Sequence, residues 1–305
     1  PKADRLRLLR ATRANLSPIF LLADGPLDAW ESLFSRTDAP LLRFEDLEGQ
    51  VHELYSIDSP SLLDGAQDFL RDRALVIADG HHRYETALNY RRAMMEETGL
   101  DPAREPWGGV LALIVPIASP GLLVLPTHRV IRDLPDRWLE QLREKAAPYC
   151  DIAPLPDPRG ESLRDLLRRP EHGLSAVAAG SREAWRITLK PGAAAPALQA
   201  VPEPLRDLNV TFLHQFLLGD CLGLTPEFLQ TRTRYLRDED EALSHARRES
   251  GTAAFLLGGL TPQTVFEVSK RNVRMPQKST DFYPKIPTGL LIRPAAGSEA
   301  VPSST

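Results

Sequence analysis

The chain has 305 residues, 42% of them hydrophobic and 26% charged, with a net charge of −4 at pH 7 and only two cysteines. That is enough apolar residue for one large core or two moderate ones, and it argues against a disulfide-stapled scaffold and a globally basic nucleic-acid binder. No window approaches eighteen uninterrupted apolar residues and the opening residues lack a secretory-signal pattern, so a cytoplasmic protein that does not enter the membrane is expected.

The chain opens at Pro1, and "PKADRLRLLRATRANLSPIF" reads as the interior of a longer protein, so upstream sequence is expected. "SPIFLLA" (17–23) predicts a strand, "PLDAWESLF" a helix, and "APLLRFEDLEGQVHELYSID" (39–58) a hairpin broken at Gly49. A helix over 59–73 comes next, with Ser59 or Ser61 as its N-cap. "ALVIAD" is a buried strand, "RYETALNYRRAMMEETG" a helix closing at Gly99, and "GGVLALIVPI" and "GLLVLPTHRVI" are two further strands.

Residues 136–150 predict an amphipathic helix. A proline-rich loop, a short helix "ESLRDLLRR", a hairpin from "LSAVAAG" and "AWRITL", and a linker "KPGAAAPALQAVPEP" come after it. "LNVTFLHQFLLGD", "DEDEALSHARRES" and "PQTVFEVSKRN" predict helices, and "TAAFLLGGL" and "TGLLIRP" strands. The expected fold is mixed α/β (α+β), a mixed sheet with flanking helices. Its expected organisation is a core over 1–149, a peripheral insertion and linker over 150–204, a C-terminal α/β region over 205–293 and a disordered tail over 294–305. Cys150 and Cys221 are expected as reduced core thiols.

"VIADGHHRYETAL" (76–88) carries the chemistry. A buried strand ending in Asp-Gly and running into a helix leaves free amides and the positive end of the dipole at the turn, which suits an anion. Gly80 can take positive φ and let a ligand approach the backbone. Arg83 offers a fork for phosphate, His81 and His82 add donors, and Asp79 suits magnesium shared with phosphates or the orientation of a histidine. A purely structural reading stays open: Asp79 as turn former, the histidines as surface residues, Glu85 as a first-turn carboxylate. His128 and Arg129, in "LPTHRVI", would meet this turn from the side if their strands were neighbours. Lys278, Ser279 and Thr280 lack the GxxxxG of a Walker motif, but their loop could close over an anion. A metal-dependent hydrolase using His81, His82 and His128 is a weaker alternative, because adjacent histidines do not have the usual ligand spacing and tend to diverge in such a turn.

"ADGHHRYETA", "LPTHR", "TRYLRDEDEAL" and "RMPQKSTDFYPKIPTGL" together resemble the bacterial and archaeal domain-of-unknown-function family 1015, over nearly the whole chain. Asp281 stands where that pattern more usually has an aromatic residue. The resemblance implies kinship with the ParB/sulfiredoxin-like superfamily, whose phosphate-binding box matches Gly80, His81, His82 and Arg83. It implies a nucleotide-binding core with a C-terminal α/β region, and ATP or ADP with magnesium as cofactor. By further analogy with free-serine kinases, which carry a similar Asp-Gly-His-His-Arg segment, it implies phosphoryl transfer to a small hydroxyl-bearing metabolite. Asp79, His82 and Arg83 would then be catalytic, with Gly80, His81, His82, Arg83, His128, Arg129, Lys278, Ser279 and Thr280 binding the cofactor. The superfamily's kinases place a catalytic glutamate in their N-terminal part. The competing implication is a non-catalytic, nucleotide-gated module of the ParB type, although the acidic charge balance speaks against DNA. No haem, flavin or structural zinc is expected, and the oligomeric state is not indicated.

Overall fold

The computed structural model describes residues 2–34, 39–47, 49–156, 174–180 and 183–296. The fold is mixed α/β, and the chain divides into two units, Pro1–Leu122 with Pro284–Thr305, and Leu123–Tyr283.

In the first unit a three-stranded sheet sets Ile19–Ala23 between Leu75–Asp79, antiparallel, and Ala112–Pro116, parallel. All five residues of Ile19–Ala23 are buried, which is why this central strand reads as an unbroken apolar run. Phe20 pairs with Asp79 and Leu21 with Ile77, so Ala78 is an extra residue in the ladder. Such a bulge bends the strand and re-aims the side chain next to it, which here is that of Asp79.

The hairpin expected in 39–58 is present, Leu42–Glu45 against Val51–Leu54. Helices Leu27–Phe34 and Pro60–Arg71 also form where expected; Ser59 occupies the N-cap of the second, but its side chain makes no capping bond. The helix Lys2–Thr12 was not anticipated. Its Leu9 is buried with Tyr90, Trp107 and Ala295, fastening it to the helix His81–Thr98. The expected strand at 288–294 shrinks to Arg293–Pro294, paired with Ala14–Asn15. Ala295 is buried, so the tail is packed at least that far; residues 297–305 lie outside the described residues.

The second unit is built on a six-stranded, wholly antiparallel sheet. Its order is Thr233–Leu236, His128–Ile131, Ala253–Leu256, Ser175–Ala179, Ala184–Leu189, Cys150–Pro154. Because side chains alternate across a strand, Ile131, Ala176, Ala178 and Phe255 join one core with Trp138 and Leu142 of the helix Trp138–Ala146 and with Phe212 and Phe216. Val130, Val177, Ala254 and Leu256 face a second core against Leu243 and Ala246 of the helix Glu239–Arg248. Both faces of the sheet are therefore covered.

The stretch 150–204 was expected as a peripheral insertion. That stretch supplies three of the six strands, and its alanine-rich linker folds into the short helices Pro196–Gln199 and Glu203–Arg206, burying Ala195 and Leu198. Small residues here pack closely, where composition suggested a spacer. The helix expected at 161–169 lies outside the described residues. "GLLVLPTHRVI" forms two strands, Leu123–Val124 and His128–Ile131, interrupted around Pro126, which has no amide hydrogen to give a ladder. The apolar helix expected at 208–220 continues from Phe212 to Cys221 as a π-helix. Cys150 and Cys221 are free and buried, and burial pushes both thiols up to about 12. Among the described residues no helix is long and apolar enough to cross a membrane.

Candidate functional site

The turn Asp79–Arg83 lies wholly within the first unit. Gly80 adopts φ 86° and ψ 19°, the left-handed conformation that joins strand to helix here. A Cβ built on it would stand 2.8 Å from both Nε and Nη2 of Arg83, so the position requires glycine for its backbone and for the space above it. The first helical bond runs from the Tyr84 amide to the Gly80 carbonyl at 3.0 Å. The amides of His81, His82 and Arg83 precede it and have no intrahelical acceptor, and no side chain caps this end of an 18-residue helix.

The guanidinium of Arg83 is fixed from two directions. Nη1 donates to Ser17 Oγ at 2.7 Å and Nη2 to Asp79 Oδ2 at 3.1 Å, while Nε is buried with no hydrogen-bond partner among the described residues. Asp79 and Arg83 are four residues apart, which brings them onto one side of the turn. Asp79, expected to hold magnesium or orient a histidine, sets its carboxylate on Arg83, while His82 points Nδ1 at Glu85 Oε2, 3.5 Å away. The rings of His81 and His82 do not diverge; their centroids are 4.0 Å apart with planes tilted by 47°. Thr86 donates to the His82 carbonyl at 2.7 Å and closes the first turn.

This turn forms one wall of a cavity of about 470 Å³. Asp79, Gly80, His81, His82 and Arg83 all line it, together with Asn15, Leu16 and Ser17, Thr86, Val110, and Arg5, Leu8 and Leu9 of the N-terminal helix. Arg5, Asn15 and Ser17 were missed in the sequence. The only signal was that Ser17 opens the segment leading into the central strand, whose Phe20 pairs with Asp79. Asp79 keeps more than half of its side chain exposed despite its ion pair, so it can still take a cation carried in by phosphates, which needs only one or two protein carboxylates.

The remaining expected residues belong to the second unit, and none is among the residues lining this cavity. The strand His128–Ile131 is a neighbour of Thr233–Leu236 and Ala253–Leu256, in a different sheet from Leu75–Asp79. His128 is 1% exposed, its Nδ1 accepts the Leu257 amide at 3.3 Å, and burial pushes it down to about 4. Arg129 is also buried. It donates to the carbonyls of Thr127 and Lys278 and, at 3.3 Å, to Nε2 of His214, which burial likewise pushes down to about 4. Burial lowers Arg129 to about 10, so it stays cationic at neutral pH. Lys278, at φ 56°, contributes its carbonyl to Arg129; Ser279 donates to the Pro276 carbonyl at 2.6 Å, and Thr280 is half-buried beside it. These contacts brace a loop. Among the described residues no group of three or more His, Cys, Asp or Glu could hold a metal ion.

No curated protein matches the sequence. Among solved structures the chain is similar to a conserved hypothetical protein from Pyrococcus furiosus, with 12% identity and a TM-score of 0.42 over 94% of this chain and 84% of that one. It is similar to a free serine kinase in complex with AMP at 11% identity and TM-score 0.40, covering 92% and 78%. It is also similar to SbnI from Staphylococcus aureus at 10% and 0.40, covering 92% and 74%. The sequence profile of the family described as "Protein of unknown function (DUF1015)" matches residues 1–211, and the chain therefore belongs to the DUF1015 family.

Proposed function

We propose that the Asp79–Arg83 turn binds the phosphates of a nucleoside phosphate, ATP or ADP, and that the protein is a phosphotransferase acting on a small hydroxyl-bearing metabolite such as free serine. The observation that carries this reading is the left-handed Gly80 at an uncapped helix start, with Arg83 locked beside it, on the wall of a cavity large enough for a nucleotide. The amide groups after Gly80 meet one phosphate, and His81 and His82 add donors at the same wall. Arg83 is held by Ser17 and Asp79, so it costs little reorganisation when charge develops near it. Leu8, Leu9, Leu16 and Val110 give the cavity an apolar side for the uncharged part of the ligand.

In the transfer, the acceptor hydroxyl oxygen bonds to the terminal phosphorus, the bond from that phosphorus to its bridging oxygen breaks, and the hydroxyl proton is released. Asp79 is the residue that would hold magnesium, whose role when bound is to spread phosphate charge. Calorimetric titration of ATP, ADP and CTP, with magnesium, into the chain and into Arg83→Ala tests the binding step. Micromolar binding that falls at least about tenfold in the variant is expected for loss of charge-assisted bonds. Equal binding by both proteins would refute the assignment. Transfer itself is tested by incubating ATP or ADP with serine and measuring phosphoserine in parent and His82→Ala proteins; undiminished product in the variant would remove His82 from the chemistry.

A further inference from the structure

We infer that Arg5, on the N-terminal helix, binds a second phosphate group and makes the cavity selective for nucleoside diphosphates and triphosphates over monophosphates. The inference rests on the turn being a phosphate site. The helix Lys2–Thr12 carries Arg5, Arg7 and Arg10, and two of them are spent on carboxylates: Arg7 on Asp4 at 3.1 Å and Arg10 on Glu97 at 3.2 Å. Arg5 has no acidic partner among the described residues and lines the same cavity as Gly80–Arg83. Leu8 and Leu9 lie three and four positions beyond it, so all three share one helix face, and all three line the cavity, while the burial of Leu9 with Tyr90 and Trp107 anchors the helix.

Charge decides what the second cation is for. Arg83 is already matched by Asp79 at 3.1 Å, so the turn itself presents amides, two histidines and a largely compensated ion pair, enough for one phosphate. A diphosphate brings additional negative charge, and Arg5 is a cation of the same cavity lining with no acidic partner among the described residues. A guanidinium on an exposed, flexible stem can track that group, where the fixed Arg83 cannot.

The test is calorimetric titration of ADP and AMP into the parent chain, Arg5→Ala, Arg5→Lys and Arg7→Ala. Arg7→Ala removes the same charge from the same helix without altering the cavity lining. The expected result is that Arg5→Ala weakens ADP about tenfold and AMP less than about twofold, that Arg5→Lys recovers part of the loss, and that Arg7→Ala changes neither. Equal weakening of ADP and AMP by Arg5→Ala, or an ADP affinity unchanged in Arg5→Ala while Arg83→Ala weakens it at least about tenfold, would overturn the role of Arg5 and leave the turn as a phosphate site. Absence of binding of either nucleotide to the parent chain would overturn both.

Discussion

Replacing Gly80 by alanine perturbs the turn at the point where backbone and ligand chemistry meet. An L-residue held at φ 86° carries a cost of about 1–2 kcal/mol. The added methyl would stand 2.8 Å from Nε and Nη2 of Arg83, closer than real Cβ contacts come, so the guanidinium must give way. Moving it loosens the bonds to Ser17 and Asp79, and weakening one charged hydrogen bond costs roughly another 1.5 kcal/mol. The sum is about 3 kcal/mol, which for a unit of this size lowers the melting temperature by about 6–12 °C. Because the displaced Arg83 and the distorted amides are the proposed phosphate ligands, ADP affinity should fall at least about tenfold at a temperature where the variant remains folded. Thermal melts paired with ADP titration measure both. A variant that melts within a degree of the parent and binds ADP equally would refute the claim that this glycine is required.

Two further outcomes concern the second unit. His128 and His214 are held in the folded protein at about 4, below the ordinary 6.5, so as pH falls the unfolded chain takes up protons first. The stability present above about pH 6.5 is lost between there and pH 4, by roughly 2 kcal/mol per histidine at pH 5. Urea midpoints at pH 7 and pH 5, compared with those of a His128→Gln variant, check the slope, and an unchanged midpoint in the parent would contradict it. Arg129→Met leaves the carbonyls of Thr127 and Lys278 and Nε2 of His214 without their buried donor, and should destabilise the unit by about 3 kcal/mol. Faster amide exchange across His128–Ile131 is the readout; an unaltered rate would show that Arg129 is dispensable to the fold.

The elements that were legible in the sequence are those whose burial is complete or whose breakers are strong. Ile19–Ala23 and Ala253–Leu256 are buried along their whole length and read as apolar runs, and the hairpin at 42–54 is broken by a glycine at φ 80°. The helix Lys2–Thr12 was illegible because it buries little beyond Leu9, and Arg5 with it, one arginine among 31. Within the site, Gly80 and Arg83 announced themselves through strand-glycine-helix order. Ser17 did not, because it reaches Arg83 from 66 residues away through a pairing that only the sheet reveals. His128 and Arg129 misled for the opposite reason: a His-Arg pair after an apolar run looks like a strand edge, yet these side chains are buried in the sheet of the second unit, where a neutral histidine and carbonyl acceptors satisfy the arginine.

In the proposed complex, phosphate sits on the backbone at the start of the helix His81–Thr98. Amide chemical shifts during an ADP titration of the isotopically labelled chain, with magnesium present, test it residue by residue. Saturable downfield shifts concentrated at the amides of His81, His82 and Arg83, and lost in Arg83→Ala, are expected. Saturable binding that leaves those three amides unmoved would contradict it.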